Sequence, residues 1–194
     1  MPSVFAHAIA GAAIGSVAVG RRSRAILWGL GAMCAVAPDL DVISLLLGVP
    51  DRHVLGHRGL SHSLFGAAVL AFVVTAVVRR TMPASASAPR LWMFFFVATA
   101  SHGLLDAMTN GGLGVAFFAP FWDARYFLPW RPIVVSPISV SAFLSYYGLT
   151  VVWSELGWVW LPSALVLLAG LALRWRGCRN ARRSPVIGAR EERP

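Results

Sequence analysis

Long apolar runs separated by short groups of arginines constrain this chain more than any other feature of its sequence. The runs cover residues 4–19, 25–49, 62–78, 90–108 and 155–173, and several approach the roughly 20 residues that cross a bilayer as a helix. Inside a bilayer each backbone polar group needs an internal partner, which an α-helix provides. The pattern predicts an all-α, polytopic membrane helical bundle with about five transmembrane helices.

Composition supports this prediction and limits the number of domains. The chain is 57% hydrophobic and only 13% charged, whereas about a quarter of the residues in a soluble domain are charged. We expect a single transmembrane domain over residues 1–175, followed by a basic, disordered tail over residues 176–194. The first apolar run lacks a preceding basic region, so we interpret it as a retained helix. Cys34 and Cys178 give no indication of a disulfide.

The arginines predict how the chain is oriented. All 17 basic residues are arginine and the formal net charge is +9, which in a soluble protein would suggest nucleic acid as a partner. Here they lie between and after apolar runs, so we expect no nucleic-acid partner. Thirteen of them fall in residues 21–24, 79–90 and 174–193. Five crossings put these three regions on one side, which the positive-inside rule makes cytoplasmic. The prediction is a plasma-membrane (inner-membrane) protein with an outer N-terminus and a cytoplasmic tail.

Polar residues interrupt the apolar pattern at four places and predict one metal site. Ionisable groups are costly near a bilayer, so a cluster of them suggests function. Asp39 and Asp41 follow a helix break at Pro38, and His102 and Asp106 are four residues apart on one helix face. The proposed ligands are His7, Asp39, Asp41, His57, His62, His102 and Asp106.

Each of these pieces also has an ordinary structural interpretation. The paired acids could be a helix N-cap with a solvated partner, His7 could be a packed or interfacial histidine, and the remainder could be solvated loop residues. Their depth argues for convergence: at about 1.5 Å of rise per residue, His102 and Asp106 lie roughly 18–24 Å from the cytoplasmic end of their helix. Asp39 and Asp41 lie at a similar depth, so the topology brings every candidate ligand to the outer face.

The chemistry of the donors suggests which metals they would hold. Four imidazoles and three carboxylates, without a thiolate, exceed the four donors of a structural zinc site. They suit about two divalent ions with open positions for water and substrate. Zinc is the leading expectation, and manganese or iron(II) would also suit this mixture of nitrogen and oxygen donors.

Three arginines and one glutamate on the outer side are candidates for other roles. An arginine fork matches phosphate geometry, so Arg58 is predicted to bind the substrate phosphate during catalysis. Arg125 and Arg131 would either bind substrate or anchor the chain at the membrane interface, where the neighbouring aromatic residues are typical. Glu155, predicted to open the last helix, is a candidate extra ligand or general base. His53 is interpreted as a solvated loop residue.

These motifs, taken in order, resemble a known family. His7, the Pro38-Asp39-Leu40-Asp41 segment, residues 57–63 and the segment from Ser101 to Asp106 resemble the membrane-bound, metal-dependent hydrolase family typified by YdjM. The later segment from Phe127 to Ile133 is also similar to that family. More remotely, the order of ligands resembles zinc-dependent phospholipase C and its nuclease relatives, which implies phosphodiester cleavage by a multi-zinc cluster.

The expected function is therefore that of an integral membrane metal-dependent hydrolase. Metal-activated water would cleave a phosphate ester of a membrane lipid, either a phospholipid or an isoprenoid phosphate, at the outer face. The alternative is a metal-binding transporter or a non-catalytic scaffold stabilised by metal. A transporter should carry polar groups along a path to both faces, and the cytoplasmic halves of the runs have few, which favours the enzyme.

Overall fold

The computed structural model describes residues 1–18, 24–82 and 86–183. Arg21, Arg22, residues 83–85 and the end of the predicted tail at residues 184–194 lie outside this range. Within it the chain is helical, with two isolated bridges, Thr109 to Ile133 and Val115 to Tyr126, as its β-type pairings.

Eight α-helices, joined in places by short 3₁₀ or π turns, make up the described fold. In chain order they are α1 (Val4–Ala18), α2 (Arg24–Val36), α3 (Val42–Leu46), α4 (Leu64–Thr81), α5 (Ala88–Ala107), α6 (Val140–Phe143), α7 (Tyr146–Glu155) and α8 (Leu161–Arg183). The predicted all-α membrane bundle is thereby confirmed.

Three helical stretches are long and apolar enough to cross a membrane. They are Ala25–Leu46, Leu64–Thr81 and Tyr146–Leu173, and the apolar α1 is shorter. The last stretch starts at Tyr146, before the predicted start of the fifth helix, so Glu155 lies within a continuous helix and does not open it. Helix α8 continues to Arg183, where disorder was expected from residue 176. Arginine and alanine are good helix formers, which suits this extension.

The bundle is organised around α5, which packs against α1, α2 and α4. Its buried residues Leu91, Phe94 and Phe95 form the centre of the main apolar core. Helices α1 and α2 approach each other closely because glycines face each other, and a Cβ on Gly11 would lie 2.4 Å from the carbonyl oxygen of Gly31. Small residues allow such contact between membrane helices.

Two local features bring the polar residues to one end of the bundle. Pro38 ends the α-helical geometry of α2, and residues Ala37–Asp41 form a 3₁₀ turn. Helix α4 begins at Leu64, where the Ser63 hydroxyl accepts a hydrogen bond of 2.9 Å from the Gly66 amide. Ser63 is therefore the N-cap of α4, and the hydroxyl of Ser61, two residues earlier, is engaged by Asp41.

The loop between α5 and α6 folds back over this end of the bundle. The Ala116 amide donates to the Arg58 carbonyl (3.1 Å), and the Leu64 amide donates to the Phe117 carbonyl (2.9 Å). These bonds tie the loop to the segment that carries His57 and His62, so the polar cluster is covered on the side away from the helices.

Candidate metal centre

Four separate segments bring the predicted metal ligands into one cluster. Helix α1 supplies His7, the 3₁₀ turn after α2 supplies Asp39 and Asp41, and α5 supplies His102 and Asp106. The segment before α4 supplies His57 and His62. Donor atoms fall into three groups, each within 4.8 Å: His7, His102 and Asp106; Asp39, His62 and His102; Asp41, His57 and His62.

His102 is oriented so that one ring nitrogen faces the cluster with a lone pair. Its Nδ1 lies 2.7 Å from the Ala35 carbonyl oxygen, which can only accept, so Nδ1 carries the proton. That carbonyl belongs to the last turn of α2, where carbonyl oxygens are available to side-chain donors. In neutral His102, Nε2 is then the unprotonated nitrogen. It lies 2.9 Å from His62 Nε2 and 3.2 Å from an Asp39 oxygen. A backbone partner of this kind is typical of metal-binding histidines.

His62 contacts carboxylates with both of its ring nitrogens. Its Nε2 faces Asp39 (3.8 Å) and Asp106 (3.5 Å), while its Nδ1 faces Asp41 (2.9 Å). Burial lowers the pKa of His62, but the contacts with Asp106, Asp39 and Asp41 outweigh burial and raise the pKa to about 10. The imidazole therefore binds a proton strongly where no other cation balances these carboxylates.

Asp106 and His7 complete the inner part of the cluster. The His7 ring stacks on His102 with 3.8 Å between centroids, and its Nε2 lies 3.4 Å from Asp106 Oδ1. The other oxygen of Asp106 faces His62, so the carboxylate turns one oxygen toward each histidine. His7, His102 and Asp106 are fully buried.

Several buried donor atoms in this inner part have no hydrogen-bond partner among the described residues. They are both ring nitrogens of His7, both carboxylate oxygens of Asp39 and Oδ1 of Asp106, whereas Asp106 Oδ2 has Arg58 Nε 2.9 Å away as its ion-pair partner. Leaving a buried polar group unpaired costs about 1–3 kcal/mol, and more when it is charged. A divalent cation would satisfy the oxygens and one nitrogen of His7 together, so the residues present fit a metal.

Asp41 and His57 lie on the outer side of His62, away from these unpaired atoms. Asp41 Oδ1 lies 2.6 Å from His57 Nδ1, and Oδ2 accepts from the Arg58 amide (3.1 Å) and from the Ser61 hydroxyl. Together with His62 Nδ1, these contacts give Asp41 the geometry of a carboxylate that orients a ligating histidine.

Arg58 is buried and its guanidinium is held by the protein itself. Its Nε lies 2.9 Å from Asp106 Oδ2, Nη1 donates to the Gly111 carbonyl (2.9 Å) and Nη2 donates to Thr109 Oγ1 (3.2 Å). The backbone of Arg58 is left-handed (φ 62°), a conformation uncommon outside glycine. A Cβ on Gly112 would lie 2.5 Å from Nη1, so glycine is needed for this approach. The guanidinium of Arg58 thus contacts Asp106, a candidate metal ligand. Its predicted contact with a substrate phosphate stays a prediction.

Arg125, Arg131 and Glu155 lie outside the three donor groups. Arg125 Nη1 donates to the His57 carbonyl (3.0 Å) and thus fixes the loop, and the guanidinium of Arg131 lies 4.8 Å from the Phe127 ring centre. Glu155 is buried and accepts from the Ser3 hydroxyl (2.7 Å) and the Ser3 amide. It therefore anchors the start of α1, which carries His7, and its predicted catalytic role stays untested.

Sequence reasoning missed the roles of Ser3, Thr109 and the Ala35 carbonyl. Each acts through a partner more than 50 residues away, Ser3 on Glu155, Thr109 on Arg58 and Ala35 on His102. Thr109 follows three residues after Asp106, Ser3 precedes His7 by four residues and Ala35 precedes Asp39 by four. This closeness to a candidate ligand is the local signal that the three share.

Comparison with known proteins identifies the family. The sequence profile of the YdjM inner membrane protein family matches residues 1–180. The chain belongs to the YdjM inner membrane protein family. The inner membrane protein YbcI of Escherichia coli (strain K12) is 41% identical over 179 residues, which cover 91% of this chain and 99% of that protein. No solved structure matches.

Membership of the YdjM family confirms the resemblance drawn from the motifs and the membrane location. The matched residues 1–180 include all seven predicted ligands as well as Arg58 and Glu155. The family description and the relative's name concern the inner membrane and state no chemistry.

Proposed function

We propose that this chain is a membrane-embedded, metal-dependent hydrolase that cleaves a phosphate ester of a lipid. The observation that carries the proposal is the set of unpaired, buried donor atoms on His7, Asp39 and Asp106, which converge with the Nε2 atoms of His62 and His102. Carboxylates and imidazoles buried without partners are costly unless a cation is bound among them.

The arrangement supports two ions. One would be held by Asp39, His62 and His102, and the other by His7 and Asp106, whose second oxygen faces His62. Nitrogen and oxygen donors without thiolate favour zinc, with manganese or iron(II) as alternatives. When bound, such ions activate water at neutral pH and neutralise charge on a phosphoryl group.

The surrounding residues of the chain hold these donors in position. Asp41 and the Ala35 carbonyl fix the ring orientations of His62 and His102 through their Nδ1 atoms. Arg58 fixes Asp106 and offsets its negative charge. We therefore assign Arg58 a positioning role, and assign any direct phosphate contact to the exposed part of the same region, near His57 and Arg125.

The arginine distribution supports a site that faces outward. Arg79 and Arg80 lie at the far end of α4 from His62, and Arg90 lies near the far end of α5 from Asp106. The positive-inside rule puts those ends in the cytoplasm, so the cluster faces outward near headgroup depth. A lipid phosphate ester is the substrate class within reach of a site there.

The test is hydrolysis of a panel of phosphate-bearing lipids by metal-loaded protein in nanodiscs. Turnover of at least one lipid by the wild type, lost in His102→Ala and retained in the loop variant His53→Ala, would support the proposal. A metal-loaded protein that turns over no member of the panel would contradict it.

A metal-stabilised scaffold is the second candidate, and the burial of the inner donors favours it. His7, His102 and Asp106 have no exposed surface, whereas a catalytic ion needs a position open to water. The two functions differ in one outcome: a scaffold binds metal and loses stability without it, but hydrolyses no ester.

A transporter instead requires passage of the ion across the bilayer, which uptake of zinc into sealed vesicles measures.

A further inference from the structure

One apolar groove on the surface of the bundle ends at the metal centre. It has a volume of about 440 Å³ and is lined mostly by apolar residues of α4 and the preceding loop, with Asp41 and Ser61 as its polar lining groups. From Phe65 to Val73 it follows α4 for about 12 Å, at 1.5 Å of rise per residue. We call this feature the Asp41 groove.

The Asp41 groove is continuous with the lipid-facing surface of the protein. Helix α4 is long and apolar enough to cross the membrane, and the side chains of Phe65, Val69 and Val73 in the groove are 44%, 47% and 51% exposed. The bilayer is the medium that meets these side chains. An acyl chain is therefore the occupant that the position and lining of the groove select.

The polar end of the groove distinguishes it from its neighbour. An adjoining cavity of about 460 Å³, which shares Leu70, has apolar residues and backbone as its lining. In the Asp41 groove the chain would meet a carboxylate and a hydroxyl at one end. Asp41 Oδ1 contacts His57 alone among the described residues, whereas Oδ2 contacts His62, Arg58 and Ser61. Oδ1 thus keeps capacity to accept another hydrogen bond.

We propose that the Asp41 groove binds the acyl chain of a membrane phospholipid whose headgroup carries a primary ammonium, such as phosphatidylethanolamine, with that headgroup at Asp41 and Ser61. An anionic acceptor complements an N–H donor, and a hydrogen bond between charged groups is among the stronger ones. Lipid tails are as apolar as leucine, so the tail gains little free energy by leaving bulk lipid. Selection between lipids then rests on the headgroup.

This inference deepens the proposed function, because it places a phosphate-bearing lipid beside His62. His57, which lies 2.6 Å from Asp41, lines a second, smaller cavity of about 160 Å³ together with Arg58 and Asp51. The Asp41–His57 pair therefore has one member in the lipid-facing groove and the other in a cavity that also has charged lining residues. This arrangement suits an amphipathic substrate.

The experiment uses full-length protein in phosphatidylcholine nanodiscs that contain a trace of phospholipid with a diazirine in its acyl chain. The probe is either phosphatidylethanolamine or phosphatidylcholine, which have the same net charge but differ in N–H donors. We expect cross-links at Phe65, Val69 and Val73 to be about tenfold stronger with the ethanolamine probe, since a charged hydrogen bond is lost in the choline lipid. Equal labelling by both probes would overturn the headgroup assignment.

Blocking the groove supplies the matched comparison. Val73→Trp and, as a second variant, Val69→Trp should fill the groove and reduce labelling of Phe65 by at least about tenfold, in line with the loss of the selected lipid. Val77→Trp is the control: Val77 lies one turn further along the same face of α4, is 53% exposed and does not line the groove. Two results would overturn the proposal, because each would mean that the probe reports annular lipid only. One is labelling of Phe65 that neither groove variant changes. The other is labelling of Phe72 and Val77 as strong as that of the groove residues.

Metal content separates this inference from the proposed function. The cross-linking does not require turnover, so selective labelling of a protein that binds no metal would leave the groove standing and refute the hydrolase. A wild-type protein that binds metal but shows no selective labelling would refute the lipid-binding groove and leave the proposed hydrolase standing. In an active protein, Val73→Trp should lower the ratio of lipid to water-soluble phosphodiester hydrolysis, and Val77→Trp should not.

Discussion

Replacing His102 by alanine tests the metal centre most sharply, because this residue belongs to two of the three donor groups. The imidazole is fully buried, and its Nδ1 donates to the Ala35 carbonyl at 2.7 Å. His102→Ala leaves that carbonyl without this partner, which costs about 1–3 kcal/mol in the metal-free protein. The backbone bonds of α5 do not involve the imidazole, so the fold should persist.

The larger effect concerns the stabilisation by bound metal. For each site, zinc at about 100 times its dissociation constant should stabilise the wild type by about 2.7 kcal/mol. For a chain of this size, 1 kcal/mol corresponds to a shift in Tm of about 2–4 °C, so each occupied site should raise Tm by about 5–11 °C. In His102→Ala we expect this shift to disappear.

The assay combines thermal unfolding, with zinc or with chelator, and elemental analysis of the same samples. His53→Ala is the control, because His53 is an exposed loop histidine outside the three donor groups. The His53→Ala variant should show the same zinc-induced shift in Tm and the same metal content as the wild type. A His102→Ala protein that retains both would refute the reasoning and require a different ligand set.

Three further predictions use the same protein. Arg58→Ala should weaken metal binding by about 10–100-fold, measured by competition with a zinc indicator, because Asp106 loses its orienting partner; Arg58→Lys should restore little, and unchanged affinity would exclude a positioning role. In a background without Cys34 and Cys178, Arg52→Cys should react with an impermeant thiol reagent in intact cells and Arg190→Cys should not; the reverse pattern would move the site to the cytoplasmic face. In metal-free protein the raised pKa of His62, about 10 against 6.5, means that its contribution to stability is full below pH 6.5 and is lost as pH rises toward 10. Unfolding of the chelated protein between pH 6.5 and 10 should follow that decline, and a stability that rises over this range would contradict it.

The sequence predicted which residue types converge, because their chemistry is unusual in an apolar chain. Carboxylates after the break at Pro38 and the His102–Asp106 spacing are local signals, and the arginine pattern placed them at one end of the bundle. The helical bundle and the break after α2 were also predicted, because a continuous apolar run and a proline are both local signals.

The division of roles within the cluster could not be predicted from the sequence. Whether Asp41 faces Nδ1 or Nε2 of His62 depends on how the segment before α4 folds against the turn after α2. The engagement of Arg58 with Asp106, and of Glu155 with Ser3, likewise depends on contacts across the bundle. The guanidinium of an arginine matches the geometry of a phosphate and of a carboxylate equally well. The residue type of Arg58 therefore could not indicate whether it binds a substrate phosphate or Asp106.

Elemental analysis of gently purified, full-length protein tests the central claim most directly. The convergence of His7, Asp39, His62, His102 and Asp106 predicts about two divalent ions per chain, with zinc in first place. The count should fall in His102→Ala and remain in His53→Ala. Less than about half an ion per chain, with no uptake of added zinc or manganese at concentrations that saturate ordinary sites, would contradict the metal centre and the hydrolase proposed from it.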